Sequence, residues 1–252
     1  MTLLQVQGAT RRFGGLIAVD NVSMDVAAGE IVGVIGPNGA GKTTLFNLIS
    51  GFTPLSGGEI RFDGARIDGE KTFAIARKGV GRTFQNLRIF PNMSLFDNVS
   101  VGAIGMLGAG PLSSLRRDTK VATEIAERTW TALERVDLAR EAHTLAANLS
   151  YGKRKYLEIA RALAMAPKLL ILDEPAAGLN DSETHTLAAF IRDLHAGGMT
   201  VLLVEHNMAL VMSICRRVVV LASGRKIADG APDAVRADPL VLESYLGVEE
   251  EA

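Results

Sequence analysis

A glycine-rich segment near the start of the chain has the composition of a loop that binds phosphate groups. Residues 36–43 read GPNGAGKT and fit the pattern G-x-x-x-x-G-K-[ST]. The β-branched run EIVGVIG precedes it, and the run KTTLFNLIS, which has helical character, follows it. Backbone N–H groups of such a loop, with the positive end of the helix, can surround phosphate oxygens. The alternative is a glycine-rich turn with a chance lysine, which the flanking strand and helix disfavour.

Two side chains in this loop predict a nucleotide and a magnesium ion. Lys42 is placed to reach the β and γ phosphates, and the Thr43 hydroxyl is a ligand for Mg²⁺. The expected nucleotide contacts within this segment are Gly36, Pro37, Asn38, Gly39, Ala40, Gly41, Lys42, Thr43 and Thr44.

An acidic pair follows an apolar run later in the chain. Residues 169–172 read LLIL and lead directly into Asp173 and Glu174. Strand ends in α/β sheets face the ligand crevice, so both carboxylates are expected near the phosphate loop. We expect Asp173 to hold, directly or through water, the Mg²⁺ that Thr43 binds, and Glu174 to orient and deprotonate an attacking water. A solvated acidic pair at a strand end is the alternative, which the phosphate loop disfavours.

The elements that must position these residues alternate between strands and helices. Strands are predicted at EIVGVIG (30–36), KLLILDE (168–174) and TVLLVEH (200–206), and helices at KTTLFNLIS (42–50) and DSETHTLAAFIRDLHA (181–196). This alternation predicts parallel βαβ units and an α/β fold. Asp63-Gly64 and Ser223-Gly224 each separate two strand patterns and predict hairpins, the first in a small antiparallel β flap.

The middle of the chain changes character. ATEIAERTWTALERV (122–136) and SYGKRKYLEIARALAM (150–165) carry apolar residues at helical spacing. The predicted layout is a single domain, 1–252, in which 1–98 and 166–252 form the nucleotide-binding core with its flap and 99–165 form a helical insertion. The glycine-rich and then basic segment 101–120 has no assigned role.

Composition limits the possible functions. Of 252 residues, 27 are Lys or Arg and 28 are Asp or Glu, so the net charge of about -1 predicts no strong attraction to nucleic acid. The longest nearly uncharged stretch, Val99 to Leu115, is broken by glycines and a proline and is not expected to span a bilayer. A single cysteine, Cys215, fits a reducing cytoplasm, and the N-terminus shows no secretion signal.

The run Leu149-Ser150-Tyr151-Gly152-Lys153 resembles the LSGGQ signature of the ATP-binding-cassette (ABC) ATPases. With the two phosphate motifs in the same order over nearly the full chain, the resemblance implies a P-loop NTPase core with a mainly parallel sheet, an N-terminal antiparallel β subdomain and a helical signature subdomain. Ser150 is a good N-cap, so its hydroxyl and the free N–H groups of the following helix make an anion site. In the family this site, with Gly152, meets the γ-phosphate of a second, head-to-tail cassette.

The same resemblance assigns roles to three further residues. By this resemblance, Gln85 contacts Mg²⁺ and water and carries movement to a membrane subunit, and Phe13 stacks on adenine. His206, which follows a strand downstream of Glu174, contacts the γ-phosphate by the same resemblance. An isolated early Phe is more often a core residue, and a lone Gln or His indicates little.

Three positions depart from the general family pattern: Tyr151, Lys153 and Asn180. Tyr151 and Asn180, with RFGGLIAVDNVS at the start, RTFQNLRIFPNMSLFDNV after the first third and ESYLG near the end, resemble the ATP-binding subunits of branched-chain amino acid importers. Two readings of Lys153 remain open, a positive charge near the partner's γ-phosphate or a solvated lysine on the first helical turn.

The resemblance implies an enzyme that hydrolyses ATP with Mg²⁺ and drives uptake of branched-chain or hydrophobic amino acids through a separate permease. The resemblance further implies a second ABC cassette and transmembrane permease subunits as partners, a location on the cytoplasmic face of the cell membrane, a solute-binding protein as an indirect partner, and no nucleic-acid partner. Three alternatives remain: a cassette for lipid or lipopolysaccharide export, a non-transport ABC ATPase acting on DNA or ribosomes, and an unrelated P-loop kinase. The second usually has a long coiled coil or a second cassette, and the third needs neither His206 nor the signature.

The segment 86–98 is rich in apolar side chains and is the expected docking surface for a short helix of the permease. Leu95 and Phe96 are expected to belong to the core instead. A charge at Phe90 is expected to uncouple ATP hydrolysis from transport.

Overall fold

The computed structural model describes residues 1–107 and 119–246, so residues 108–118 of the unassigned segment lie outside the described part. The strands are β1 (Thr2–Phe13), β2 (Leu16–Ala27), β3 (Ile31–Ile35), β4 (Gly57–Phe62), β5 (Ala65–Arg66), β6 (Val80–Arg82), β7 (Leu169–Asp173), β8 (Thr200–Val204), β9 (Arg217–Ala222) and β10 (Arg225–Gly230). The helices are α1 (Lys42–Ile49), α2 (Thr72–Arg77), α3 (Leu95–Leu107), α4 (Thr119–Arg135), α5 (Tyr151–Leu163), α6 (Asp181–Ala196), α7 (Met208–Ile214), α8 (Pro232–Arg236) and α9 (Pro239–Leu246).

A six-stranded sheet in the order β10-β9-β3-β8-β7-β6 forms the centre of the molecule. Its strands run parallel except β10, which pairs antiparallel with β9 at one edge. Every residue of β3, β7 and β8 is buried, because parallel strands are covered on both faces and so read as continuous apolar runs. Their carboxyl ends meet at one edge of the sheet, where the phosphate loop and the acidic pair begin.

The two faces of this sheet belong to different hydrophobic clusters. On β3 and β7, Val32, Val34 and Ile171 pack toward the antiparallel sheet, while Ile35 and Leu170 pack toward α6 and α7. The alternation follows from the two-residue period of a strand.

The smaller sheet has the order β2-β1-β4-β5 and is antiparallel throughout. Asp63 and Gly64 connect its last two strands with φ of 50° and 77°, which suits a type I′ turn. Ser223 and Gly224, with φ of 47° and 79°, turn the β9–β10 hairpin in the same way. Both predicted hairpins are confirmed.

The helices α3, α4 and α5 surround a cluster of their own. The first of them starts at Leu95, before the predicted boundary at residue 99. Ser94 accounts for the earlier start, because its hydroxyl accepts a hydrogen bond from the Asp97 N–H (3.0 Å) and donates one to the Asp97 carboxylate (2.6 Å). Leu95 is fully buried, as expected.

The predicted fold class is confirmed, with a mainly parallel central sheet, an N-terminal antiparallel sheet and a helical part that carries the signature. Among residues 1–107 and 119–246, no helix combines the length and apolar character needed to cross a membrane.

Candidate nucleotide-binding and catalytic site

The phosphate loop connects the end of β3 to the start of α1. Gly36 and Gly41 in this loop have φ of 148° and 95°, a backbone conformation that residues with a Cβ rarely adopt. A Cβ added at Gly36 would lie 2.0 Å from the main-chain oxygen of Leu221, and one at Gly41 would lie 2.4 Å from that of Ala18. The close approach of neighbouring main chain therefore requires glycine at both positions.

Lys42 lies buried inside the curve of this loop. Its Nζ donates hydrogen bonds to the carbonyl oxygens of Gly36 (2.7 Å) and Pro37 (2.9 Å). Burial lowers the pKa of Lys42, while the carboxylates of Glu174 and Asp173 act in the opposite direction. The loop thus holds a cation at its centre, beside the two acidic residues, where a polyphosphate needs a positive partner.

A cavity of about 640 Å³ opens in front of the loop. Its lining brings together predicted site residues from distant parts of the chain: Phe13, residues 38–44, Gln85 and Glu174. The Phe13 ring is 46% exposed, and the Arg11 guanidinium lies 4.4 Å from its centroid. An exposed ring at the mouth of such a cavity is available to stack on a planar base.

Residues from two hairpins complete this cavity, and the sequence did not predict their place in it. Residues 16–18 at the start of β2 and the turn residues Ser223 and Gly224 also line it. The Gly224 N–H donates to the Ala40 carbonyl at 3.1 Å, and the Gly224 carbonyl accepts from the Asp20 N–H at 2.8 Å. The hairpins themselves were predictable, but no pattern in the sequence reports that their turns contact the loop.

Glu174 occupies the first position after β7 in a left-handed conformation, with φ of 48°. Its N–H donates to the Val204 carbonyl on the neighbouring strand at 2.9 Å. Its carboxylate accepts a hydrogen bond from Gln85 Nε2 at 2.8 Å and lies 3.9 Å from Nδ1 of His206. The structure thus places the predicted base, the predicted glutamine and the predicted histidine in one group.

A second cavity of about 380 Å³ adjoins this group. It is lined by Gly36, Pro37, Asn38, Gln85, Glu174, His206 and Tyr245. Tyr245 comes from α9, and its hydroxyl is buried. Burial raises the pKa of Tyr245, and the nearby N–H of Gly36 opposes this shift. The ending ESYLG suggested a subfamily, but no feature of it predicted a residue at the site.

Asp173 is 2% exposed and faces inward, where it pairs with a residue that sequence reasoning did not assign. Arg82, at the end of β6, donates from one terminal nitrogen to Asp173 Oδ2 at 2.9 Å. Its other terminal nitrogen donates to Asn47 (2.9 Å) and to Ser50 (2.6 Å) near the end of α1. A buried carboxylate requires such a partner, and this one connects β6, β7 and α1 beneath the cavity.

Glu205, also missed, anchors the backbone around His206. It is fully buried and accepts hydrogen bonds from the N–H groups of Ala176 (2.7 Å), His206 (3.1 Å) and Asn207 (3.2 Å). Burial raises its pKa, and these N–H donors act against the shift. The available signal was a charged residue that ends an apolar strand directly before a candidate histidine.

The signature residues lie apart from both cavities. Ser150 caps α5 as predicted, because its Oγ accepts a hydrogen bond from the Lys153 N–H at 3.4 Å, and Ser150 itself is exposed. Tyr151 packs over Gly178, where an added Cβ would lie 2.8 Å from its ring. Gly152 follows on the same turn and is partly buried, and a Cβ added there would lie 3.0 Å from Glu183 Oε1. The structure therefore brings Phe13, residues 36–44, Gln85, Glu174 and His206 to the two cavities, whereas Asp173, Ser150 and Gly152 line neither of them.

The structure gives both remaining unusual positions a partner within the chain. Asn180 caps α6, and its side chain and that of Glu183 form a reciprocal capping box. Lys153 Nζ donates to the Glu141 carboxylate at 2.5 Å on the surface.

Comparison with known proteins agrees with this geometry. A family model described as ABC transporter matches residues 19–177, and a second, described as branched-chain amino acid ATP-binding cassette transporter, matches residues 225–251. The chain belongs to the ABC transporter family. It is 46% identical to the high-affinity branched-chain amino acid transport ATP-binding protein BraF of Pseudomonas aeruginosa, covering 97% of this chain and 98% of that one.

Other members of the ABC transporter family show the same likeness. The chain is 44% identical to the high-affinity branched-chain amino acid transport ATP-binding protein LivG of Salmonella typhimurium, over 97% of this chain and 98% of that one. Among solved structures, the ADP conformation of MJ1267, an ATP-binding cassette of an ABC transporter, matches with a TM-score of 0.86 and 32% identity and covers 98% of this chain and 99% of that one. The expected P-loop NTPase core is thereby confirmed.

Proposed function

We propose that this chain hydrolyses ATP and drives uptake of branched-chain amino acids through a separate permease. The observation that carries the proposal is the convergence of Gln85, Glu174 and His206 beside the phosphate loop, with 2.8 Å between the Gln85 amide and the Glu174 carboxylate. This is the arrangement that a water-activating carboxylate at a nucleotide site needs.

In this proposal ATP occupies the larger cavity. The adenine stacks on Phe13, and the phosphates lie in the loop, where main-chain N–H groups and the start of α1 surround them. Lys42 exchanges its two contacts with loop carbonyls for contacts with phosphate oxygens. In this proposal the Lys42 ammonium group therefore has partners both in the loop and on the phosphates.

The donor set fits Mg²⁺ held together with phosphates. In the described ranges 1–107 and 119–246, no three His, Cys, Asp or Glu side chains gather in a way that could hold a metal ion, so an all-carboxylate site is not offered there. Thr43 and Gln85 line the larger cavity and would supply a hydroxyl and an amide oxygen, whereas Asp173 is paired with Arg82, lines neither cavity and would hold the ion through water. Such a set of donors suits an ion that keeps phosphate and water ligands. When bound, the ion neutralises charge on the phosphates.

Hydrolysis follows from the group around Glu174. The Glu174 carboxylate accepts a proton from a water that Gln85 helps to orient, and the water oxygen forms a bond to the γ-phosphorus. The bond from that phosphorus to the β–γ bridging oxygen breaks, giving ADP and phosphate. His206, exposed at the edge of the smaller cavity, donates a hydrogen bond to the γ-phosphate.

The exposed signature supports a pair of cassettes. Ser150 and Gly152 line neither cavity of their own chain, so in the proposed head-to-tail pair they complete the partner's site. The segment 86–98 docks the permease on the cytoplasmic face of the cell membrane, and a solute-binding protein supplies the amino acid to that permease. No nucleic acid takes part.

The assignment of branched-chain amino acids as the solute is based on the relatives of this chain. Both curated relatives described above are named for branched-chain amino acid transport, and the model matching residues 225–251 carries the same description. Export of lipopolysaccharide has weaker support of the same kind, from a relative named for that export that is 37% identical to this chain. None of the relatives described above supports a non-transport role.

The test of the reaction is Mg²⁺-dependent ATP hydrolysis by wild type and Glu174→Gln, with Glu134→Gln, an exposed residue of α4, as control. We expect Glu174→Gln to keep ATP binding, lose at least about 100-fold in kcat, and elute as a dimer in ATP. Equal rates for wild type and Glu174→Gln would remove Glu174 as the base. Uptake of leucine by vesicles containing the permease tests the solute, and ATPase stimulation by lipopolysaccharide instead would favour the export alternative.

A further inference from the structure

Lys155, on the second turn of α5, is buried although lysine is rarely buried without a partner. It is 4% exposed. Its ammonium group lies 5.7 Å from the centroid of the Tyr151 ring. Lys42, which belongs to the phosphate loop, is also buried, at 8% exposed. Lys155 has no role in the mechanism described so far.

The partner of Lys155 is the main chain of Glu174. Its Nζ donates to the Glu174 carbonyl oxygen at 3.1 Å. Burial lowers the pKa of Lys155, while the carboxylates of Glu158, Glu205, Glu174 and Asp173 act in the opposite direction. Burial therefore disfavours the charged form of Lys155 on balance, and the nearby carboxylates offset part of that cost at the point where α5 meets the candidate base.

Glu174 needs such support because its backbone conformation is unfavourable. A left-handed conformation at a residue other than glycine costs on the order of 1–3 kcal/mol and persists only where the surroundings impose it. Four contacts act on it here: Val204 accepts from the N–H, Lys155 (3.1 Å) and the Ala177 N–H (3.2 Å) both donate to the carbonyl, and Gln85 donates to the carboxylate. The Ala177 N–H belongs to the turn that follows Glu174 directly, so Lys155 is the contact that holds the carbonyl from a separate element, α5.

We infer that Lys155 is a positioning residue that fixes the main chain of Glu174, so that its carboxylate points at the attacking water. The inference rests on the proposed function, because it acts through the base of that reaction. The contact also connects α5 to the base of the same chain. In the proposed pair, Ser150 at the start of α5 contacts the nucleotide that the partner cassette binds. The same helix, through Lys155, holds the base that acts on the nucleotide of its own chain.

A purely structural role is the competing explanation, in which Lys155 only balances buried carboxylates. The two roles differ in what they leave intact. Loss of a positioning contact slows hydrolysis while ATP binding and ATP-dependent pairing persist, because the phosphate loop and Ser150 are unchanged. Loss of a structural contact disturbs α5 and therefore weakens pairing together with hydrolysis.

The experiment compares wild type, Lys155→Met and Lys168→Met in ATP hydrolysis, in binding of a fluorescent ATP analogue, and in gel filtration with ATP. Lys168 is an exposed lysine paired with Asp63 and controls for loss of a charge. The kcat is calculated per ATP-binding site, so unfolded chain does not affect it. We expect Lys155→Met to lose about 100-fold in kcat, to keep its affinity for the analogue within about threefold, and to elute as a dimer in ATP, as Glu174→Gln does.

Two outcomes would overturn the inference: a kcat of Lys155→Met within about twofold of wild type, or a loss of dimer formation in parallel with kcat. If Lys155→Met does not fold, Lys155→Arg decides, since it keeps the charge while its planar guanidinium cannot take the same position beside the Glu174 carbonyl. We expect Lys155→Arg to bind ATP normally and to hydrolyse it about tenfold more slowly, and a wild-type rate would overturn the inference. If wild type hydrolyses ATP no faster than Glu174→Gln, the proposed function itself is wrong. This comparison is made before any Lys155 variant is measured.

Discussion

The phosphate loop and the signature turn sit on one chain, yet they are built in opposite ways. Around the loop, Gly36 and Gly41 touch neighbouring main chain and Lys42 is buried against loop carbonyls. At the signature, Ser150 is exposed and the Tyr151 side chain is 46% exposed. The first region is complete for binding within the chain, whereas the second offers its donors to another surface. The difference fits the proposal that one chain binds the nucleotide and that a pair of cassettes hydrolyses it.

The largest effect is expected beneath the phosphate loop, from Arg82→Met. Arg82 and Asp173 form an ion pair whose side chains are 5% and 2% exposed. Removing the arginine leaves a buried carboxylate without its partner, which typically costs about 3–5 kcal/mol. We expect urea denaturation to show a loss of this size, and a loss below about 1 kcal/mol would mean that this region is not held together as described.

A smaller effect that separates binding from folding is expected from Gly41→Ala. The added Cβ meets the Ala18 carbonyl at 2.4 Å, and the φ of 95° is unfavourable for alanine. We expect ATP affinity to fall about 100-fold, or ~2.7 kcal/mol, in titrations of the purified chain. Gly105→Ala on α3, where an added Cβ meets nothing within 4 Å, is the matched control and is expected to bind as wild type.

The signature side is expected to respond differently to Ser150→Ala. Loss of the N-cap costs about 1 kcal/mol of stability, and ATP affinity of the isolated chain is expected to stay unchanged because Ser150 lines neither cavity. ATP-dependent dimer formation and kcat are expected to fall about tenfold. Weakened ATP binding by the single chain would erase the contrast between the two regions, and Asn180→Ala, which removes the cap of α6, controls for a lost cap as such.

The smallest effect on the isolated chain is expected from Phe90→Asp. The Phe90 ring is 43% exposed and lies 5.6 Å from the Arg161 guanidinium on α5. We expect stability to change by less than about 0.5 kcal/mol and ATPase activity to persist, while amino acid uptake by vesicles with the permease is lost. Normal uptake would place the docking surface elsewhere.

The sequence predicted the elements of this site better than the contacts between them. The helix at Asp181–Ala196 and the loop ahead of α1 follow from local signals, namely a capping asparagine, a following Gly-Gly pair, and a glycine pattern between a strand and a helix. The pairing of Arg82 with Asp173 depends on β6 lying beside β7, and the approach of Tyr245 depends on the path of α9. Tertiary contacts of this kind leave no periodic pattern in a single sequence.

The α5 helix packs in two hydrophobic clusters at once. Leu157 and Ala160 belong to the cluster of the helical part, while Ile159 and Ala162 belong to a cluster on the central sheet. The remainder of the helical part, α3 and α4, packs mainly within its own cluster. Regions with a separate core open as cooperative units of their own. Amide protons of α3 and α4 are therefore expected to exchange with solvent together and before those of β3, β7 and β8, with α5 exchanging between the two groups.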